Sequence, residues 1–319
     1  MEKFKKKIII ILGPTASGKS EMAVRLALRL GSEQTKKFGI KGAEIISADS
    51  RQVYKGMDIG TGKITPDTKN SKNRIFTHKG IPHYCIDVAS PKRRFTVVQY
   101  RNLAIIAINK IQEKNKISIL CGGTGFYIQA VIDGIIIPEV KPDWRLRLNL
   151  EQLKTQELFE KLRKLDLKRA KTIDKNNRRR LIRSLEIVIK TKKPVPLLKK
   201  QPLPYPVLMI GIRKEKEELK RLIEKRLQKR LRRGMVEEIK KLHKNGVSWK
   251  RLEEFGLEYR YIAQYLQGKI QYSEMVEKLQ KDTEHFAKRQ MTWFKRDKRI
   301  HWVKNYKKAK KLVKEFLKK

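Results

Sequence analysis

The stretch that most limits what this chain can fold into lies near its beginning. Residues 7–12, Lys-Ile-Ile-Ile-Ile-Leu, form a continuous β-branched run, the pattern of a strand buried on both faces of a parallel sheet. Gly13, Pro14, Thr15, Ala16, Ser17, Gly18, Lys19 and Ser20 follow at once and fit G-x-x-x-x-G-K-[ST]. Beyond them Met22, Ala23, Leu26, Ala27 and Leu30 recur at helical spacing, with Gly31 as the stop. Strand, glycine-rich turn and helix in this order are the context that makes the pattern a phosphate-binding loop. Within residues 13–20 the backbone N–H groups of the loop (Pro14 has none) and of the helix start cradle a di- or triphosphate, Lys19 bridges its oxygens, and the Ser20 hydroxyl suits Mg²⁺. The loop alone does not choose between ATP and a diphosphate leaving group.

Further short apolar strands are expected at Ala43 to Ala48, Lys116 to Cys121 and Pro206 to Ile212, with a helix from Val97 to Ile111. Strands alternating with helical segments argue for an α/β fold, a P-loop NTPase-like parallel sheet flanked by helices. Residues 136–206 read as a basic helical insertion closed by Pro194, Pro196, Pro202, Pro204 and Pro206, a density that neither helices nor central strands hold. The expected organisation is a core over 1–135, the insertion over 136–206, core completion with further helices over 207–303, and a basic tail over 304–319. After Ile212 the pattern is helical throughout, broken at Gly234, Gly246, Gly256 and Gly268.

Asp49 follows the second strand, at the sheet edge where open α/β folds bind ligands. A carboxylate there can hold Mg²⁺ through water, accept a proton from a nucleophile, or simply cap the next turn. Gly122-Gly123-Thr124-Gly125 is a second glycine-rich strand end, without the acidic residue of a motor ATPase.

The formal charge is +45, from 78 Lys and Arg against 33 Asp and Glu, while 39% of residues are apolar. That composition supports a packed core carrying a polyanion-attracting surface and excludes a wholly disordered basic chain. The tail's eight Lys against one Glu supply little of the total, so the basic character is spread along the chain. Nucleic acid is the commonest partner of such a surface. Cys85 and Cys121 form no disulfide framework, and they and the scattered His78, His83, His243, His285 and His301 have no zinc-site spacing. The apolar run at 8–12 is too short for a signal peptide, and nothing approaches the roughly 20 apolar residues of a membrane span. A cytoplasmic protein without membrane association follows, and no long apolar seam argues against a monomer.

Several blocks carry a resemblance. The P-loop, Ile-Ser-Ala-Asp-Ser-Arg-Gln-Val-Tyr-Lys-Gly-Met-Asp-Ile-Gly-Thr-Gly-Lys (46–63), Pro82 to Asp87, Gly122 to Tyr127, Asn177 to Glu186, Gly256 to Arg260 and Lys288 to Phe294 together resemble the tRNA dimethylallyltransferase family, over about 8–303. The resemblance implies that the loop holds dimethylallyl diphosphate with Mg²⁺, and that the nucleophile is the exocyclic amine of the adenosine 3′-adjacent to the anticodon in tRNAs reading codons beginning with U. It makes Asp49 the general base, with Thr15, Lys19 and Arg226 completing the catalytic set. It also implies that Asp49, Ser50, Arg51, Gln52 and Thr124 meet the target base or its neighbours. Arg145, Arg179, Arg180, Arg183, Tyr259, Arg260, Lys288, Arg289, Gln290 and Trp293 would then hold the anticodon stem-loop. Arg179, Arg180 and Arg183 cannot share one face of a helix that buries Leu181 and Ile182, so at least one is plain surface. Phe286 and Trp293 are equally readable as packed aromatics. A small-molecule kinase with Asp49 as base is the alternative, but it has no use for a basic helical half. An RNA-binding protein with a vestigial loop is a third reading, opposed by the intact Lys19, Ser20 and Asp49.

Overall fold

The computed structural model describes residues 6–32, 39–67, 75–136, 138, 140–197 and 199–318. They divide into two compact units, one formed by Met1–Asp133 with Pro202–Lys319 and the other by Gly134–Gln201. The second unit overlaps the stretch read from sequence as an insertion over 136–206, but begins at Gly134 and ends at Gln201.

In the first unit β1 (Ile8–Leu12) leads through the glycine-rich loop into α1 (Lys19–Leu30) and then β2 (Ala43–Ser47). β3 (Phe76–His78) and β4 (Ile81–Tyr84) form a hairpin across Lys79 and Gly80, both at positive φ as a tight primed turn demands. α2 (Val97–Glu113) starts at a capping box in which Thr96 and Gln99 satisfy each other's backbone N–H, and β5 (Ile117–Gly122) and α3 (Gly125–Ile132) follow.

The second unit opens with β6 (Ile135–Ile136) and runs through α4 (Trp144–Gln152), α5 (Thr155–Leu165), α6 (Leu167–Thr172) and α7 (Arg178–Thr191) to β7 (Lys199–Lys200). β6 and β7 pair antiparallel and tie its two ends together. Its small core is Leu150, Leu158, Leu162, Leu181, Ile182 and Leu185. Glu186, fully buried, accepts a fork from Arg147 Nε and Nη2 at 2.8 and 2.7 Å, a bond from Arg183, and the N–H of Asp143 at 2.7 Å. Burial pushes that carboxyl up, but the arginine and backbone donors outweigh it and hold it below its ordinary range.

The chain returns to the first unit as β8 (Val207–Ile212), then α8 (Lys216–Arg232), α9 (Met235–Lys244), α10 (Trp249–Phe255), α11 (Leu257–Leu266), α12 (Tyr272–Phe294), β9 (Ile300–Val303) and α13 (Tyr306–Lys318). The seven-stranded sheet has the order β3-β4-β2-β5-β1-β8-β9 and is parallel except for β3. Alternate residues of β1 serve opposite faces. Ile9 and Ile11 join α1 and α13, while Ile8, Ile10 and Leu12 join α2, α3 and the helices after β8. Parallel strands covered on both sides read as unbroken apolar runs for this reason. The mostly parallel, helix-flanked sheet agrees with the α/β expectation. The all-helical reading after Ile212 is corrected, because Ile300–Val303 pairs with β8 as an edge strand.

Residues 304–319, read from sequence as a basic tail, are over Tyr306–Lys318 a helix that buries Ala309, Val313 and Leu317 beside β1 and β8. Lys7 Nζ donates to the carbonyls of Phe316 and Leu317 at 3.0 and 3.1 Å, placing a cation at that helix's negative end. Val313→Ala should therefore lower unfolding stability by about 2 kcal/mol, and exposed Lys314→Ala by less than about 0.5 kcal/mol, in denaturant melts. Equal effects of the two would contradict a packed helix.

Candidate active site

The carboxyl ends of β1, β2 and β5 point to one edge of the sheet, and a loop from each meets there. At Gly13 a Cβ would stand 2.9 Å from Ser17 Oγ and 3.1 Å from the carbonyl oxygen of Ile212, so the turn out of β1 closes only around glycine. Ala16 and Gly18 hold φ of 61° and 87°. Such alternation turns successive N–H groups inward into an anion-binding concavity. Gly18 caps α1 without a side-chain bond, which leaves the amides of the first turn for a ligand.

Cations gather on this loop. Lys19 Nζ donates to the Pro14 carbonyl at 3.2 Å, and burial, with Arg226 nearby, lowers its pKa to about 8. Arg226, on α8, donates from Nη1 to Thr15 Oγ1 at 3.1 Å, and burial and then its neighbour Arg230 pull it down to about 10. Arg230, one helical turn on, is tied to Glu258 of α11 at 2.8 Å. Gly62 makes room for the pair, since a Cβ there would collide with both guanidinium groups. Thr15, Ala16, Ile223, Arg226, Leu227, Arg230, Glu258 and Thr283 line one small cavity beside the loop. The Asp49 carboxylate works against the downward shift at both Lys19 and Arg226 and so lies within Coulomb reach of both.

Asp49 leaves β2 and folds back on its own turn. Its Oδ1 accepts the N–H groups of Arg51 at 2.8 Å and Gln52 at 3.3 Å, while Oδ2 makes no hydrogen bond among the described residues. The capping and chemical readings of this residue are thus compatible: one oxygen orients the carboxylate and the other stays open. From the third loop Thr124 Oγ1 accepts the Ser50 N–H at 3.0 Å, locking the Asp49 turn to the end of β5. The same crowding bars a side chain at Gly122, where a Cβ would run into the backbone of Ala48.

Residues 52–297 match the family model described as IPP transferase. The tRNA dimethylallyltransferase of Acetivibrio thermocellus is 38% identical over 93% of this chain and 91% of its own length, and that of Pelotomaculum thermopropionicum 39% identical over 95% and 92%. The full-length tRNA isopentenylpyrophosphate transferase of Bacillus halodurans superposes with a TM-score of 0.68 at 33% identity, covering 98% of this chain and 96% of that one. A eukaryotic dimethylallyltransferase captured acting on tRNA gives 0.69 at 26% identity, over 91% and 70%. This chain belongs to the tRNA dimethylallyltransferase family.

Within that family's frame the remaining candidates separate by exposure. Arg145, Arg179, Arg180, Lys288 and Arg289 are exposed, Arg289 with its guanidinium 6.0 Å from the centroid of the Phe286 ring. Arg183 is occupied by Glu186 and the Val140 carbonyl, so it braces its own unit. Arg51 is half-buried, donating from Nε to the Phe255 carbonyl at 2.8 Å, and Arg260 leans on the Glu253 carbonyl at 3.4 Å. Gln52 accepts from Ser47 Oγ at 3.0 Å and donates to the carbonyls of Thr61 and Gly62, both at 3.4 Å. Trp293 is half-buried against Gly125 and Phe126.

Two residues expected to meet RNA are engaged inside the protein. Tyr259 is 1% exposed and its hydroxyl is spent on Glu238 at 2.9 Å, inside the core. Gln290 is 8% exposed with both ends of its amide bonded internally. The Arg230–Glu258 pair and Glu238 escaped sequence reading. Glu238 accepts the N–H groups of Asp58, Ile59 and Gly60 at 2.8, 2.5 and 3.0 Å and so holds the loop that carries Gly62. The run Asp58-Ile-Gly-Thr-Gly62 was the available signal, a glycine loop whose amides need an acceptor.

The lowered Lys19 pKa gives a pH dependence. Below about pH 8 Lys19 is already protonated and diphosphate binding takes up no proton there. Above it, binding must restore the proton, so affinity for inorganic pyrophosphate should fall roughly tenfold per pH unit. Calorimetric titration at pH 7, 8 and 9 measures this, and a flat profile would mean that Lys19 does not meet the anion.

Proposed function

We infer that this chain transfers the dimethylallyl group of dimethylallyl diphosphate to the exocyclic amine of the adenosine 3′-adjacent to the anticodon, in tRNAs reading codons beginning with U. The observation that carries this reading is the convergence of Lys19, Arg226 and Arg230 on a P-loop with the half-free Asp49 carboxylate beside it. In the reaction the allylic C–O bond breaks, diphosphate departs with the electron pair, and the adenine nitrogen forms the new C–N bond while losing one proton. Asp49 accepts that proton through its open oxygen. Lys19, Arg226 and the loop amides meet the charge that grows on the departing diphosphate, the place where stabilisation lowers the barrier most. An adenine stacked in the anticodon loop is out of reach, so it must be extruded to meet Asp49.

The site also suits Mg²⁺. No group of three or more His, Cys, Asp or Glu capable of holding a metal occurs among the described residues. The donor set is instead a hydroxyl, Ser20, in the first turn of α1 beside a diphosphate cradle. Mg²⁺ accepts such a site because it keeps several waters and draws its remaining ligands from phosphate oxygens. Bound there through Ser20, it would neutralise charge on the leaving group.

The anticodon stem-loop is the proposed partner of the exposed arginines of α4 and α7 and of Lys288 and Arg289. The chain is proposed to act as a cytoplasmic monomer; among the described residues no helix is long and apolar enough to cross a membrane.

Nucleoside mass spectrometry tests the reaction. Unmodified tRNA carrying the target adenosine, incubated with the protein, Mg²⁺ and dimethylallyl diphosphate, should gain one dimethylallyl increment on adenosine. ATP consumption without that increment would favour a kinase. Asp49→Ala should lower turnover by about two decades or more while tRNA binding is kept, and unchanged turnover would remove Asp49 as the base. Arg180→Ala should weaken tRNA binding and reduce the slope of log affinity against log salt by about 1. An unaltered slope would return Arg180 to bare surface.

A further inference from the structure

We propose that Gln290 is a positioning residue for the diphosphate site, a role that rests on the transferase reading above. Gln290 lies near the end of α12, far in sequence from both loops it joins. Its Oε1 accepts the Thr15 N–H at 2.8 Å and its Nε2 donates to the Gly123 carbonyl at 2.8 Å. The chemistry fixes the sense of the amide, because a flip would set NH₂ against N–H and carbonyl against carbonyl. One side chain therefore clamps the P-loop to the glycine-rich end of β5.

The clamp decides what Thr15 offers a substrate. Its N–H is spent on Gln290 and that of Ser17 on the Pro14 carbonyl at 3.3 Å, so the loop amides left for an anion are those of Ala16, Gly18, Lys19 and Ser20. Its hydroxyl accepts from Arg226, which leaves the hydroxyl proton free to donate to a diphosphate oxygen. Thr15 is thus held from behind through its backbone by Gln290 and from the side by Arg226, with its hydroxyl turned into the cradle. The loop of β5 is shaped to admit the clamp. A Cβ on Gly123 would collide with Gln290 Nε2, and one on Gly125 would collide with the Trp293 ring one turn further along α12. Both glycines are keyholes for α12 side chains. A direct RNA contact needs an exposed amide, and Gln290 is 8% exposed with both its oxygen and its nitrogen engaged inside the protein; on the same helix Lys288 and Arg289 are the exposed cations.

Three measurements on the full-length protein test this: calorimetric affinity for inorganic pyrophosphate with Mg²⁺, affinity for an anticodon stem-loop RNA, and KM and kcat for dimethylallyl diphosphate. Gln290→Met keeps length and loses both bonds. It should weaken pyrophosphate binding roughly tenfold and raise KM for the prenyl diphosphate, with RNA affinity unchanged within about twofold. Gly123→Ala, which pushes the amide aside, should reproduce the pyrophosphate defect. Combined with Gln290→Ala it should add nothing to the loss caused by Gln290→Ala alone. Should Gln290→Met fail to fold, Gln290→Glu keeps the acceptor toward Thr15, sets a carboxylate against the Gly123 carbonyl, and should show the same selective defect. Lost RNA affinity with intact pyrophosphate binding would overturn the proposal, as would additive losses in the double variant or unchanged pyrophosphate binding in Gln290→Met. A wild-type protein that transfers no prenyl group, yet whose pyrophosphate affinity depends on Gln290, would support the positioning role and sink the transferase reading instead.

Discussion

Cations crowded at the carboxyl edge of the central strand, with too little negative charge to answer them, are the constraint around which this site is organised. Lys19 and Arg226 are both held below their ordinary pKa by burial and by like charge. Such an arrangement opposes folding, since desolvated cations repel and each loses hydration. It persists because the surrounding fold over-determines it. Asp49 and Glu258 offset part of that charge, and the diphosphate of the proposed reaction would offset more of it. The parallel sheet makes this possible by ending β1, β2 and β5 at one edge, where loop amides, a carboxylate and a glycine-rich turn need no long reach to meet.

What was legible in the sequence was local. The β1, P-loop and α1 unit announces itself because a β-branched run, a fixed glycine spacing and a helical period are contiguous, and each is dictated by its neighbours. β9 was not legible, because its four residues Ile-His-Trp-Val are too few for a period and sit among lysines and arginines. It is a strand only because β8 is there to pair with it. α13 read as a tail for a related reason: its charge dominates the composition, while the Ala309, Val313, Leu317 stripe that docks it is narrow.

The inward placement of two expected RNA-contact residues has one cause. Tyr259 and Gln290 lie in motif-like helical segments rich in basic residues, so neighbourhood suggested an RNA face. On a helix, adjacent residues point in different directions, and Lys288 and Arg289 can be exposed while Gln290 is buried. The partners that turn Tyr259 and Gln290 inward, Glu238 and the loops at Thr15 and Gly123, lie from tens to hundreds of residues away in sequence. No local pattern encodes them. The glycines came nearest to doing so, since Gly62, Gly123 and Gly125 each mark a place where another element's side chain must pass.

The same distinction between exposed and engaged charge refines what a net charge of +45 means. Part of it is structural. Lys7 closes α13, Lys63 is buried between Asp58, Asp87 and the Tyr54 carbonyl, and Arg147 and Arg183 serve Glu186. Composition therefore overstates the charge available to a polyanion, and the cations open to RNA are a subset that only burial identifies. The two populations also differ in physics. Exposed arginines such as Arg179 and Arg180 act through solvent and are screened over about 10 Å at ordinary salt. Lys19 and Arg226, packed beneath the loop, act at contact range and are screened far less. If the roles proposed above hold, rising salt would loosen a long polyanion held by the first population well before a small anion held by the second.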